Sequence, residues 1–287
     1  MKILYLECNM GAAGDMLMSA LYELLPNKDE FLEQMNNLGL DGVAVKAAEA
    51  ESCGIAGTRI EVSVRGEEEH SCDIHSGDGE GHHHLHEHHH VHEHHHGHSH
   101  DHEHCGGHGH GHSHEHSHTS LADIDSIINA MNISEGVKEN AKAVYKKLAG
   151  AESNAHGVPM EQIHFHEVGT LDAVADITGV CLALDLLSPD KIIASPMRLG
   201  YGMVRCAHGI IPVPAPATAK LLEGIPCLAG EIEGELCTPT GAALISHFAE
   251  GFSSMPAMTI KGTGYGIGKK NFSAANCLRA FLGEEWK

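Results

Sequence analysis

The stretch KILYLECNMGAAGDMLMSALYELLP, residues 2–26, indicates the class of fold. Its first part, KILYLEC, is mostly apolar and predicts a buried strand. GAAGDM is a glycine-rich turn, and the apolar residues after it predict a helix that ends before Pro26. A strand, a glycine-rich turn and a helix in this order are typical of a fold in which helices pack on a sheet.

The rest of the chain continues this mixture of strands and helices. Residues 43–50 and 58–64 are rich in β-forming residues and are separated by a glycine-containing turn, so they predict a neighbouring strand pair. SLAD, residues 120–123, resembles a capping box and predicts a helix start, and a second helix is predicted from near Ser134 to Asn154. We expect an α/β or α+β fold, with a mixed sheet and packed helices.

The second half of the chain adds further elements. LDAVADITGVCLALDLL predicts an apolar helix, TPTGAALISHFAEG predicts another helix, and KIIAS and NCLRAFL predict strands. GTGYGIG, residues 262–268, predicts only a glycine-rich turn between strands.

One segment, residues 66–119, has a different composition, because almost nothing in it is apolar. It holds 23 of the 28 histidines and 11 acidic residues, but no lysine or arginine. A segment that buries so little apolar surface stays disordered. We therefore expect a long, disordered, histidine-rich insertion between an N-terminal α/β part, residues 1–65, and the remainder of the same body, residues 120–287.

The histidine-rich insertion is predicted to bind metal. Neutral imidazole suits nickel, copper and zinc, and composition alone does not choose among them. Binding should weaken as the pH falls through about 6.5, because protonated rings cannot coordinate. The alternatives are a solvated loop, a pH-responsive segment and an expression tag, of which the internal position argues against a tag. The candidate ligands are His82, His83, His84, His88, His94 and His96.

HFHE, in the middle of the chain, is the first candidate site outside the insertion. On an extended segment His164 and His166 project from one face within reach of one ion, and Glu167 is adjacent. A hydrogen-bonded histidine pair in the core and a helix-entry cap are the alternatives. In the next helix Asp172 and Asp176 lie on one face, where they can hold a metal or act as bases, or simply form a solvated face.

The GAAGDM turn is a second candidate. It places Gly11, Gly14 and Asp15 where a strand turns into a helix, so its N–H groups can bind an anionic group and Asp15 can bind a metal or a hydroxyl group. It matches neither a P-loop nor a dinucleotide fingerprint. In HGIIPVPAPAT, His208 is the residue whose side chain can take part in chemistry, whereas the prolines are expected to be structural.

The TPTG turn is a third candidate. Thr238 can cap a helix, Pro239 fits the first helical position, and Thr240 with Gly241 is expected to leave donors free toward a phosphate. An ordinary capped helix explains the motif nearly as well.

Charge and cysteine content restrict the partners and the compartment. The net charge of −21, from 18 basic and 39 acidic residues, argues against a nucleic-acid partner. Nine cysteines without a CxxC motif predict neither a disulfide framework nor a zinc ribbon. MKILYLECNM lacks the apolar centre of a signal peptide, and no run of about 18 apolar residues follows. We expect a cytoplasmic protein without a membrane partner.

A resemblance to a known family rests on motifs in this order: YLECNMGAAGDM, the histidine-rich insertion, HFHEVGTLDAVADITG, HGIIPVPAPAT, ELCTPTGAAL, and GTGYGIG followed by NCLR. Together they resemble the LarC-type nickel-insertion family over nearly the whole chain. The resemblance implies insertion of Ni²⁺ into pyridinium-3,5-bisthiocarboxylic acid mononucleotide, in a CTP-dependent reaction that completes the nickel-pincer cofactor. Such a nickel insertase would belong to the lyase or metal-chelatase class.

The resemblance also implies a missing part. Members of the family continue into a C-terminal domain associated with the nucleotide, so this chain resembles the N-terminal portion. CTP, with Mg²⁺ or Mn²⁺, is then expected to bind through a separate or fused C-terminal domain. The sequence leaves the oligomeric state, including a homo-oligomer, open.

The implied reaction assigns roles to the candidate residues. The thiocarboxylate sulfurs bind nickel, and formation of the nickel–carbon bond requires a base for the ring C–H proton. We nominate His166 as this base, oriented by Glu167 or Asp172. His164 and His208 are expected to bind nickel transiently, and the candidate metal ligands also include Asp176.

Two rival functions stay open. A metallochaperone or buffer would store nickel or zinc without catalysis, and a hydrolase would use HFHE and the aspartates to activate a metal-bound water. A body large enough to hold a substrate-binding site favours the insertase.

Overall fold

The computed structural model of the protein describes residues 1–67, 72–74, 119–165, 168–206 and 209–286. The strands are β1 (Lys2–Glu7), β2 (Val43–Ser52), β3 (Ile55–Val64), β4 (Cys72–Ile74), β5 (Thr119–Ser120), β6 (His164–Phe165), β7 (Lys191–Ala194), β8 (Met197–Tyr201), β9 (Met203–Cys206), β10 (Gly209–Pro212), β11 (Cys227–Glu233), β12 (Gly251–Phe252), β13 (Met258–Ile267) and β14 (Cys277–Glu285). The helices are α1 (Gly14–Leu24), α2 (Lys28–Asn36), α3 (Leu121–Ala130), α4 (Glu135–His156), α5 (Leu171–Leu187), α6 (Pro216–Leu221) and α7 (Pro239–Phe248).

A seven-stranded sheet in the order β12-β7-β1-β14-β13-β3-β2 forms the centre of the fold. β1 pairs parallel with β7 and antiparallel with β14, so the sheet is mixed. β2 and β3 form the predicted antiparallel pair. The predicted mixed sheet with packed helices is therefore confirmed, whereas the division of the chain into three segments stays a prediction.

A short stretch of the predicted histidine-rich insertion forms a strand. Residues 72–74 form β4, which pairs with β9, although the composition predicts disorder from residue 66 onward. Pairing with a strand supplies the main-chain hydrogen bonds that the composition does not reveal. Residues 68–71 and 75–118 lie outside the described part of the chain.

The side chains of β1 alternate between two buried layers. Leu4 and Leu6 belong to the main core, whereas Ile3 and Tyr5 pack with Phe281 on the other face of the sheet. A strand places successive side chains on opposite faces. Burial on both faces explains why KILYLEC is a continuous apolar run instead of an alternating one.

Helix α5 is mostly buried from Val174 to Leu184. It contacts α1 and α4, and Gly179 and Ala183, on the same face as the two aspartates, are both buried. Asp172 and Asp176 are themselves partly exposed, so the choice between a metal-binding pair and a solvated face stays a prediction. Among the described residues, no helix is both long enough and apolar enough to cross a bilayer.

The GTGYGIG motif lies almost entirely within strand β13, so the prediction of a turn is wrong. A Cβ atom on Gly264 would overlap the carbonyl oxygen of Ala20, and one on Gly266 would overlap that of Met16. These glycines allow helix α1 to lie directly on the strand. Here glycine marks a close approach of two main chains and not a bend.

Substitution of Gly266 tests this close approach. A methyl group there would collide with a main-chain oxygen, which cannot move aside as a side-chain tip can. We expect Gly266→Ala to lower the free energy of unfolding by about 1–3 kcal/mol, measured by urea denaturation. Gly136→Ala is the control, because nothing lies within 4 Å of its Cβ position in α4. Equal losses in both variants would contradict the packing argument.

Candidate functional site

The turn after β1 and the turn before α7 lie against each other. Ala12 and Cys237 form a parallel bridge, and the N–H of Thr238 donates to the carbonyl oxygen of Ala12 at 3.0 Å. Side chains at Gly11 or Gly241 would overlap main-chain oxygens of the facing segment. The two glycine-containing turns that the sequence analysis selected separately therefore form one joint.

The predicted cap at Thr238 is confirmed. Its Oγ1 accepts the N–H of Gly241 at 3.1 Å, and Pro239 is the first residue of α7. The expectation that Gly241 offers a free donor is therefore wrong, because the cap itself uses that N–H. Thr240 is buried at the same turn.

Asp176 lies over the joint. A Cβ atom on Gly14 would be 2.9 Å from Asp176 Oδ2 and 2.9 Å from Thr240 Cγ2. A residue predicted as a metal ligand thus meets two residues predicted to bind the substrate. A carboxylate in this position favours a cation over a phosphate at the joint.

Asp15, next to Gly14, is a half-buried carboxylate at the same joint. Its Oδ1 accepts the N–H of Met16 at 2.8 Å, while Ala13, at the N-cap of α1, provides no side-chain acceptor. Desolvation by burial raises the pKa of the Asp15 carboxyl, although the charges of Lys269 and Arg59 oppose the increase. Carboxyl groups with a perturbed pKa are concentrated at functional sites, although structural networks also contain them.

Tyr145 connects the aspartates of α5 to the segment that follows HFHE. Burial raises the pKa of Tyr145, and the nearby charges of Asp172 and Asp176 raise it further. The Tyr145 hydroxyl donates to the carbonyl oxygen of Val168 at 3.1 Å. Asp172 Oδ1 accepts the hydroxyl of Thr170 at 2.7 Å, which fixes this carboxylate at the start of the helix.

A cavity of about 150 Å³ lies beside this segment. Phe165, Val168 and Val204 form a buried apolar part of its wall, and Pro239 connects it to the joint. The lining residues with charged or metal-binding side chains are Glu152, His156, His164, Arg205, Cys206 and Glu235. His164, the predicted ligand among them, is exposed at the cavity.

Sequence reasoning missed the other five of these lining residues, and Tyr145. The sequence offered a signal for two sets of these residues. Arg205 and Cys206 lie just before His208, and Glu235 is the first residue of the ELCTPTG motif. For Glu152 and His156, whose carboxylate and imidazole are 3.3 Å apart, nothing in the local sequence indicated a place beside HFHE. Only the packing of α4 brings them there.

Both ends of the histidine-rich segment pair with strands of the cavity. Before the segment, β4 pairs with β9, with Cys72 opposite Arg205. After it, β5 pairs with β6, with Ser120 opposite His164. Since Arg205 and His164 line the cavity, the described strands on either side of residues 75–118 pair with strands of the cavity wall.

Several predicted site residues fall outside the described ranges: His82, His83, His84, His88, His94, His96, His166, Glu167 and His208. Within those ranges, no three His, Cys, Asp or Glu side chains are arranged to hold a metal ion. The structure therefore brings the joint, Asp172 and Asp176 close to the cavity that His164 lines. The residues that it describes do not include a complete set of metal ligands.

Comparison with known proteins assigns the family. The model of the nickel insertion protein family matches residues 4–287. The chain belongs to this family. The resemblance that the motifs indicated is confirmed.

Three curated relatives illustrate the similarity. The pyridinium-3,5-bisthiocarboxylic acid mononucleotide nickel insertion proteins of Clostridium kluyveri and Clostridium acetobutylicum are 37% and 40% identical, over 99% of this chain and 63% and 64% of their own lengths. A putative nickel insertion protein of Geobacter sp. is 38% identical, over 99% of this chain and 62% of its own length. The chain thus spans less than two thirds of these relatives. No solved structure matches it significantly.

Substitution of Asp15 tests whether its charged carboxylate lowers the free energy of unfolding. Burial raises the pKa of the Asp15 carboxyl in the folded state above its ordinary value of 3.8. The charged carboxylate therefore destabilises the fold at pH values above the folded-state pKa, and this destabilisation disappears as the pH falls to 3.8. We expect Asp15→Asn to stabilise the protein at pH 7, and the gain to shrink toward acid pH in urea denaturation. Asp29→Asn, at an exposed position in α2, is the control without such a gain. A gain independent of pH would contradict the assignment.

Proposed function

We propose that this protein inserts Ni²⁺ into pyridinium-3,5-bisthiocarboxylic acid mononucleotide and thereby forms the nickel-pincer cofactor. The cavity carries the proposal, because it combines an imidazole and a thiol, at His164 and Cys206, with an apolar wall. Both groups suit nickel. The names of the two Clostridium relatives support the choice of substrate.

The proposed reaction exchanges a proton for the metal. Two thiocarboxylate sulfurs bind Ni²⁺ and hold a ring carbon beside it. The ring C–H bond breaks, its electron pair forms the nickel–carbon bond, and a base takes the proton. His166 is the proposed base, with Glu167 or Asp172 orienting it.

Nickel is a substrate in this scheme, and transient protein ligands transfer it to the mononucleotide. His164 and His208 are the proposed transient ligands, with Asp176 as a further one. The histidine-rich segment is the proposed reservoir, and the pairing of β4 with β9 and of β5 with β6 supports transfer within one molecule. A tethered donor acts at a high effective concentration.

The joint is proposed to contact the substrate through its acidic side. Gly11, Gly14, Thr238, Thr240 and Gly241 hold the two turns in place, and Asp15 is available for a hydroxyl group or a metal. A phosphate is disfavoured there, since the cap uses the Gly241 N–H and the Asp176 carboxylate lies against the turn.

CTP, with Mg²⁺ or Mn²⁺, is proposed to act through the C-terminal domain that the family resemblance implies, supplied separately or fused. We propose that the enzyme works in the cytoplasm and belongs to the lyase or metal-chelatase class. A homo-oligomer stays a prediction.

Replacing the histidine-rich segment distinguishes an insertase from a metal buffer. In the variant, every histidine of residues 75–118 becomes asparagine, so that length, β4 and β5 are kept. We expect nickel binding in equilibrium dialysis to fall sharply, while insertion continues at abundant nickel and slows at limiting nickel. The assay contains CTP and the C-terminal segment of a relative. Loss of insertion at every nickel concentration would favour the buffer.

Single substitutions of the HFHE histidines test the catalytic site. We expect His166→Asn to lower the insertion rate by about 100-fold or more through loss of the base, and His164→Asn to impair nickel transfer, with the nickel store retained in both. His247→Asn is the control, because this residue of α7 forms a hydrogen bond with Asn140 and does not line the cavity. Unchanged turnover in both HFHE variants would refute the assignment. Metal-dependent cleavage of a phosphoester by the wild type would favour the hydrolase.

A further inference from the structure

We propose that Arg59, together with the charge of Lys269, binds the phosphate group of the mononucleotide beside Asp15. Arg59 lies in β3, and Lys269 follows the end of β13. This inference rests on the proposed function and adds the place where the phosphate is held. It follows from the direction of the strands and from a partly buried guanidinium group that forms no ion pair among the described residues.

The strands around Arg59 place it at one edge of the central sheet. β1 and β13 both pair antiparallel with β14, so they run in the same direction, and β3 pairs parallel with β13. Thr58 is opposite Gly266, so Arg59 is level with the carboxyl end of β13. In open α/β sheets, ligands bind outside the carboxyl ends of the strands. The turn after β1, which leads to Asp15, lies at this edge.

The loop after β13 is fixed beside Arg59. An Nη2 N–H group of Arg59 donates to the carbonyl oxygen of Gly268 at 2.8 Å. The buried Asn276 donates through Nδ2 to the carbonyl oxygen of Lys270 at 2.8 Å, and its own carbonyl oxygen accepts the N–H of Gly268 at 2.9 Å. Lys269 therefore lies in a closed loop and directly follows the residue that Arg59 contacts.

Asp15 lies within range of both positive charges. A Cβ atom on Gly268 would be 3.0 Å from Met16 Sδ, so the loop touches the residue next to Asp15. The charges of Lys269 and Arg59 both act on the Asp15 carboxyl, but burial still raises its pKa. Asp15 therefore compensates the guanidinium charge only in part.

The guanidinium group of Arg59 has donors to spare. Its one hydrogen bond within the described ranges is to a neutral carbonyl group, and its Nε is buried without a partner there. A partly buried arginine is usually paired with an anion, because an uncompensated charge is unfavourable where water is partly excluded. The remaining Nη N–H groups suit a phosphate, since a guanidinium group donates to phosphate oxygens through paired N–H groups.

Other parts of the described site suit a phosphate less well. The chain carries a net charge of −21, and the Asp176 carboxylate lies against the joint. At the cavity, Arg205 shares the wall with the carboxylates of Glu152 and Glu235. Beside Asp15, two cations act on one carboxylate, so the local charge is positive and attracts an anion. Asp15 would then face the ribose hydroxyl groups next to the phosphate.

The test compares two ligands that differ only in the phosphate group. They are pyridinium-3,5-dicarboxylate mononucleotide and the corresponding riboside, in which carboxylates replace the thiocarboxylates of the proposed substrate. Isothermal titration measures their binding to the 287-residue chain. We expect Arg59→Gln to weaken mononucleotide binding by about tenfold to a hundredfold and to leave riboside binding unchanged. Lys269→Gln should weaken mononucleotide binding less, because an ammonium group acts as a point charge without paired donors.

Two further variants control for indirect effects. Arg65→Gln removes an exposed guanidinium group just after β3 and should change neither affinity. Arg59→Lys keeps the charge and should restore part of the mononucleotide affinity. Equal weakening of both ligands by Arg59→Gln, no weakening, or the same phosphate-specific loss in Arg65→Gln overturns the phosphate site and leaves the proposed function in place. If the wild type binds neither ligand, the proposed substrate is overturned together with the phosphate site.

Discussion

The main-chain contact between the turn after β1 and the turn before α7 is the constraint on which the site depends. Without side chains at Gly11 and Gly241, the two segments approach closely enough for Thr238 to bond to Ala12. Helices α1, α5 and α7 contact one another around this joint. Asp15 lies in the first turn of α1, where the helix dipole favours negative charge. The dipole of α1 therefore acts in the same sense as the charges of Lys269 and Arg59, which also stabilise the Asp15 carboxylate.

The cavity and the joint divide the chemistry between them. The cavity has an apolar wall with imidazole and thiol groups, and both groups are suitable ligands for nickel. The joint is acidic and closely packed, and it reaches the cavity through Pro239 and, by way of Tyr145, through Val168. The proposed formation of a metal–carbon bond demands a fixed geometry, which a rigid scaffold provides and a chain of spaced imidazoles does not.

Strand pairing positions the described residues on either side of the histidine-rich segment. Strands β4 and β5 are short, but each adds to a strand that lines the cavity. Main-chain pairing fixes the two ends of the segment whatever its side chains do.

The sequence alone determined the class of fold, most of its elements and the family. Strand β1, the hairpin of β2 and β3, the capping box of α3 and the helix α5 follow from local periodicity and capping residues, which act over a few residues of chain. GTGYGIG was misinterpreted because a glycine required by a neighbouring helix looks the same in sequence as one required by a turn. Tertiary structure alone decided that Gly14 meets Asp176, and that Arg205, Cys206 and Glu235 share a cavity with His164. Those contacts join residues far apart in the chain, and they depend on packing, which no local pattern encodes.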